Sequence, residues 1–294
     1  MARPFRYNFT ARPYTLGSQN TRDALSTLYS KILRGIPPIM KKLHLVQRLR
    51  AFSLHFLVSL VVVGTVLLAM RLVWYPTPFA TLQGWADLLW VVVGVDMVLG
   101  PTLTFLVYSP GKKTLRFDLT VIALIQISAL VYGVYTSALG RPIYLVFLAD
   151  RFEMVSPADY PPEEITAAKL SPFLSFPWSG PKPVTATMPA DIKEKNAVLF
   201  SGVAGGGLRI MPRYYQPYAT VAKTAVAKGK KLSDIRQLKP QQAEILSKWI
   251  RAEKRNPDDV VFVPLKGRLG YGLVMLDAKT GNIVSMEGID PAWY

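Results

Sequence analysis

The chain has 294 residues, half of them hydrophobic, with 35 Lys and Arg against 19 Asp and Glu and a formal net charge of +16. No cysteine is present, which excludes disulfides, thiolate metal sites and a cysteine nucleophile. Both histidines, His44 and His55, precede residue 56, so the rest of the chain can build neither a Ser-His-Asp triad nor a His-rich metal site.

High apolar content beside a strong positive balance points to a membrane protein with basic flanks. Those flanks account for the charge, so nucleic acid is not expected as a partner. Ten Lys or Arg and one acid fall in the first 50 residues, the sharpest local bias. Residues 1–39 are polar and basic with scattered aromatics, and read as a disordered tail or as sequence ahead of a true start at Met40. A short helix within Arg22 to Leu33 is the competing reading. "KKLHLVQRLR" then gives an ordinary basic flank.

Three apolar runs follow, at about residues 51–73, 85–108 and 118–139, within a membrane region of residues 40–140. Each matches the ~20 residues that a helix needs to cross a hydrocarbon core. The first run ends in "RLVWYPTP", where Trp74 and Tyr75 suit the interface and Pro76 and Pro78 stop the helix. The loop between the second and third runs carries Lys112, Lys113 and Arg116 and no acid, whereas "WYPTPFATLQG" carries no charge. The positive-inside rule then puts the N-terminus and the basic loop in the cytoplasm, and everything after Leu139 outside. In a Gram-negative cell the expected location is the inner membrane, with a periplasmic C-terminal domain.

Residues 141–294 read as a small α+β domain with an antiparallel sheet. Ile143 to Val155 is rich in β-branched and aromatic residues and predicts one or two strands. "PPEEITAAKL" predicts a short helix, and Ser171 to Pro189 a Pro-rich extended loop. "PADIKEKNAVLFSGV" predicts a helix and "AGGGLRIMPRYY" a loop. Lys239 to Arg255 predicts a helix with Ile245, Leu246 and Trp249 on one face, and three strands follow it. Chemistry is sparse there. "AGGGLR" lacks a phosphate-loop pattern, and adjacent Asp258 and Asp259 would point to opposite faces of a strand. Tyr214, Tyr215 and Tyr218 are expected to pack, and Lys228, Lys230 and Lys231 to be solvated. No catalytic residue, metal site or cofactor is expected.

The second run holds an exception, "VDMVLGPTLT". Asp96 lies near its middle, where a carboxylate is costly unless protonated or paired and should face protein or water. Pro101 frees the carbonyl of Met97 and bends the helix. Gly100 lets another backbone approach closely, and Thr104 supplies a hydroxyl. Two readings are open: an internal polar contact locking the helices, with Gln126 of the third run as partner, or an intramembrane partner or ion site.

Taken in order, "LVWYPTPF", "VDMVLGPTLTFLVY", "GKKTLRFDLTVIALIQISALVYGVY", "RPIYLVFLADRFEMV" and "ADYP" resemble type IV pilin accessory proteins of the TfpX/TfpZ type. The resemblance covers residues 45 to 160 and continues more weakly beyond. It implies a non-enzymatic inner-membrane accessory that helps a cognate pilin reach or persist in the form used by the pilus assembly complex. The matching blocks carry Trp74, Tyr75, Pro76, Asp96, Gly100, Pro101, Thr104, Lys113, Arg116, Asp118, Gln126, Tyr132, Arg141, Pro142, Asp150, Arg151 and Phe152, in structural or partner-facing roles. A pilin awaiting assembly has an apolar membrane helix and a head outside, and this chain offers a region for each. The competing function is a membrane-bound partner or enzyme of pilin or envelope glycan modification. A sensor is a third class.

Overall fold

The computed structural model describes residues 38–169, 171–203, 206–235 and 240–291. The expectation for residues 1–39 therefore lies, apart from its last two residues, outside the described residues.

Helix α1 is Pro38–Val73, so the basic flank and the first apolar run form one continuous helix. A short helix α2, Phe79–Gln83, precedes α3, Trp85–Val93. A π-helical turn, Gly94–Leu99, joins α3 to α4, Gly100–Val107. Helix α5 is Leu115–Gly140. Among the described residues three helices are long and apolar enough to cross a membrane: His44–Val73, Trp85–Val107 and Leu115–Gly140. Their outward faces carry exposed Leu57, Val61, Val98, Leu106 and Leu124, apolar surface that suits lipid better than water. At one end of the bundle Arg48 Nε donates to the Tyr108 carbonyl over 2.8 Å. At the other, the Tyr75 hydroxyl donates to the Ser137 carbonyl over 2.7 Å and its ring stacks on Trp85. Neighbouring spans therefore run in opposite directions.

Beyond α5 the chain builds a sheet of seven strands in the order β4-β3-β1-β2-β5-β6-β7. Where one or two strands were expected, two form: β1, Tyr144–Leu148, and β2, Arg151–Val155, pair as a hairpin. Ala149 turns it at φ 55°. Strands β5, Val260–Lys266, β6, Tyr271–Asp277, and β7, Ile283–Glu287, are the three predicted C-terminal strands, paired antiparallel.

The sheet is mixed, which corrects the expected antiparallel sheet. Strand β3, Lys182–Ala186, lies parallel to β1, and β5 lies parallel to β2. A parallel partner needs a crossover rather than a tight turn. The chain supplies one through helix α6, Pro162–Ala167, and a longer one through α7, Ile192–Val203, α8, Ala222–Lys228, and α9, Pro240–Ala252. Strands β3 and β4, Tyr215–Pro217, stand where loops were expected. Helix α9 buries Leu246, Trp249 and Ile250, while Ile245 stays exposed. Trp249 packs on Phe262 and donates to Ser285 Oγ over 2.9 Å. Asp258 and Asp259 lie in a 3-10 turn rather than on a strand.

The uncharged loop between the first two spans joins the two regions. Phe79 and Leu82 of α2 sit in the same buried cluster as Leu145, Phe147, Phe152, Val263 and Leu265 of the sheet. Leu269 N–H donates to the Leu82 carbonyl over 3.0 Å. Gly267 is required by this contact, since a Cβ there would stand 2.6 Å from the Leu82 carbonyl oxygen. Burying two large apolar side chains at a few kcal/mol for the pair makes the loop part of the sheet domain's core.

Candidate functional site

The polar residues of the three spans converge. Asp96 and Thr104 are 2 % and 3 % exposed, and Ser59 of α1 is also buried. His55 Nε2 lies 2.7 Å from Gln126 Oε1, and His55 Nδ1 lies 2.6 Å from Thr104 Oγ1. An amide oxygen only accepts, so Nε2 carries a proton and donates to Gln126. Gln126 Nε2 donates to the main-chain carbonyl of Asp96 over 3.1 Å. One glutamine on α5 thus links α1 to the middle of the second span.

The backbone explains why that carbonyl is offered. Pro101 has no N–H, and its ring crowds the carbonyl four residues back. The preceding turn widens to the π pattern, and Gly100 N–H donates to Val95, five residues back. Gly100 is required here for space: a Cβ would fall on the Gln126 amide. Asp96 sits inside the widened turn. Its Oδ2 is buried with no hydrogen-bond partner among the described residues. A cavity of about 190 Å³ between α1 and α5 is lined by Asp96, His55, Ser59 and Gln126 and by apolar side chains such as Val62 and Ile127. Among the described residues no group of three or more His, Cys, Asp or Glu could hold a metal ion.

The structure therefore brings Asp96, Gly100, Pro101, Thr104 and Gln126 together. His55 is the member that the sequence reading left out. The signal was available: a histidine four residues into an apolar run needs a partner.

The other candidate residues fall into separate places. Trp74 and Tyr75 are buried at the sheet-side end of the bundle, with Pro76 half-buried beside them. Burial holds the Tyr75 hydroxyl well above the ordinary phenol range, against the pull of Arg141. Arg141 stands over the Trp74 ring at 5.4 Å and donates to the Ala138 carbonyl over 2.5 Å, and burial lowers its pKa. Pro142 is buried next to it. Tyr132 is exposed on α5. Lys113 and Arg116 are exposed at the opposite end of the bundle, where Asp118 pairs with Lys112 over 2.7 Å. Asp150 lies in the β1–β2 turn, Arg151 opens β2 opposite Leu148, and Phe152 is fully buried. Tyr215 and Tyr218 pack in the sheet domain, as expected, with the Tyr218 phenol pushed up to about 12 by burial.

Comparison with known proteins bears on these features. The family model for fimbrial assembly protein FimB matches residues 43–84, the first span and the loop that enters the sheet domain. The chain is 28 % identical over 242 residues to a fimbrial assembly protein, serogroup I, of Dichelobacter nodosus, covering 81 % of this chain and 93 % of that protein. It is 36 % identical over 118 residues to the fimbrial assembly protein of serogroups C1 and C2 of the same organism, covering 40 % of this chain and 90 % of that protein. No solved structure matches the chain. With the order of its sequence blocks and this coverage, the chain belongs to the fimbrial assembly protein family, a type IV pilus assembly family with a role in fimbrial biogenesis.

Proposed function

We propose that this chain is a non-enzymatic, multi-pass inner-membrane accessory that binds the membrane helix of its cognate pilin and presents that pilin to the pilus assembly complex. In this reading the bundle takes the pilin's apolar helix, and the sheet domain stands on the periplasmic side beside the pilin's head. The observation that carries it is the buried, unpartnered Asp96 oxygen beside a cavity between α1 and α5. A carboxylate is costly in lipid, and a hydrogen-bond donor on an incoming helix would satisfy it.

The test is a photocrosslinking amino acid placed at Val62 or Ile127, both exposed beside the cavity, with Phe117 as an exposed control elsewhere on the bundle. Cells expressing the cognate pilin should yield a pilin adduct from positions 62 and 127 and far less from 117. Adducts of equal yield at all three positions, or none, would remove the groove as the pilin contact. Capture of a glycan-modifying enzyme instead would favour the glycan reading.

A further inference from the structure

Strands β2 and β5 stay paired over only two registers, Phe152 with Leu265 and Glu153 with Lys266. Past that point they part. The chain leaves β2 at Ser156 while β5 ends and turns at Gly267, and the opening is a cleft of about 480 Å³. It lies beyond the carboxyl ends of two parallel strands, where open mixed sheets commonly hold ligands. Gly140, the last residue of α5, lines its floor, so the cleft is level with the sheet-side ends of the spans.

The wedge is held open by buried polar groups. Gln83 Nε2 donates to Ser156 Oγ over 2.8 Å, and Gln83 Oε1 accepts from Arg268 N–H over 3.1 Å. Ser156 Oγ donates to the Gly140 carbonyl over 3.0 Å. Charges line the walls, and they do not cancel. Glu153 is met by Arg151 at 2.8 Å and by Arg209 at 4.0 Å. Asp159 is met by Arg209 at 3.7 Å and accepts from Ser156 N–H. Lys266 and Arg268 reach the same cleft and form no ion pair among the described residues. Beside them Leu269 is 61 % exposed, an apolar side chain at the level of the bundle's end.

We propose that this cleft binds the phosphate of a membrane phospholipid headgroup, with Lys266 and Arg268 as its cationic contacts and Leu269 against the acyl chains. The chemistry is that of basic groups at an interface meeting an anionic headgroup. A lipid is the fitting occupant because the opening sits where headgroups lie when the spans cross a bilayer, and because an apolar side chain adjoins the cations. This site is independent of the helix-binding groove.

The test uses the full chain in mild detergent, titrated with phosphatidylglycerol and, separately, with phosphatidylcholine, with bound lipid counted by native mass spectrometry. One phosphatidylglycerol should bind ahead of the rest. The double variant Lys266→Gln/Arg268→Gln should bind it about thirty-fold more weakly, at roughly fivefold for each basic residue. Lys266→Arg/Arg268→Lys should restore binding. Lys193→Gln/Lys195→Gln, which changes exposed charges on α7, should not alter it. Equal phosphatidylglycerol affinity in the wild type and the folded double variant would overturn the proposal. Displacement of the lipid by inorganic phosphate at equal concentration would keep a phosphate site but overturn lipid as its occupant. Loss of pilin-head binding in the double variant with lipid binding unchanged would assign the cleft to a protein partner.

Discussion

The packing of Gly100 against Gln126 can be measured as a double-mutant cycle. Gln126→Ala removes the hydrogen bond to His55 and the one to the Asp96 carbonyl. Interhelical bonds in membranes average about 0.6 kcal/mol, with a maximum near 1.7, so the loss should be roughly 1–3 kcal/mol. Gly100→Ala places a methyl group on the Gln126 amide, an overpacking cost of about 1–3 kcal/mol. With alanine at 126 that methyl group has room, and the second substitution should cost little. The cycle should then show a coupling of about 1–2 kcal/mol, with the double variant more stable than the sum of the singles predicts. The assay is reversible unfolding of the full chain in mixed micelles, followed by tryptophan fluorescence. Gly94→Ala is the control, since a Cβ there meets nothing within 4 Å; it should be neutral or slightly stabilising. Additive single effects, or equal costs at 94 and 100, would refute the contact.

Further outcomes are expected elsewhere. Asp96→Leu leaves the bond from Gln126 to the main-chain carbonyl in place, so the protein should insert and accumulate normally while surface pili fall in number; Asp96→Asn should be milder, and normal piliation in both would remove the carboxylate from partner binding. Leu82→Ala empties a site that is 4 % exposed between loop and sheet and should cost about 2–5 kcal/mol, read as faster proteolysis of the sheet domain with the bundle intact. A periplasm-active reporter fused after Tyr294 should be active and one at Lys113 silent; the reverse would invert the orientation. Asp277 accepts from the Thr280 and Lys279 main-chain N–H groups and is held below the usual carboxylate range, chiefly by Thr280. A lowered folded pKa adds stability above the ordinary carboxylate pKa and loses it as pH falls through the folded value. Acid should therefore loosen the β6–β7 turn in the wild type, and Asp277→Asn should flatten that pH dependence in hydrogen exchange.

The three long apolar helices were legible because length and apolarity alone define them, and strand character at Tyr144 to Val155 because the stretch is rich in strand formers; the turn at Ala149 and Asp150 that splits it into two was not fixed in advance. Strand β3 was hidden by Pro183 within a Pro-rich stretch; its partner β1 lies in the middle of the sheet, a long-range fact that local propensity does not carry. Strand β4 has only three residues, too few to show an alternation. Within the bundle, Asp96, Gly100, Pro101 and Gln126 stood out as breaks in apolar periodicity. What could not be read was that Gln126 meets the Asp96 carbonyl, an offer created by the widened turn, and that its oxygen meets His55, 71 residues away. The loop at 74–84 looked like a simple connection because its lack of charge fitted topology as well as burial.

That loop also imposes an order on assembly. Phe79 and Leu82 leave the ribosome well before β1, and the β5 and β6 residues that cover them come last of all. Until the final hairpin arrives, these two large apolar side chains lack the part of their cover that β5 and β6 supply. A chain cut short between residues 141 and 259 keeps all three long apolar helices yet leaves that pair without its β5 and β6 cover. Completion of the sheet is therefore what buries the loop between the first two long apolar helices.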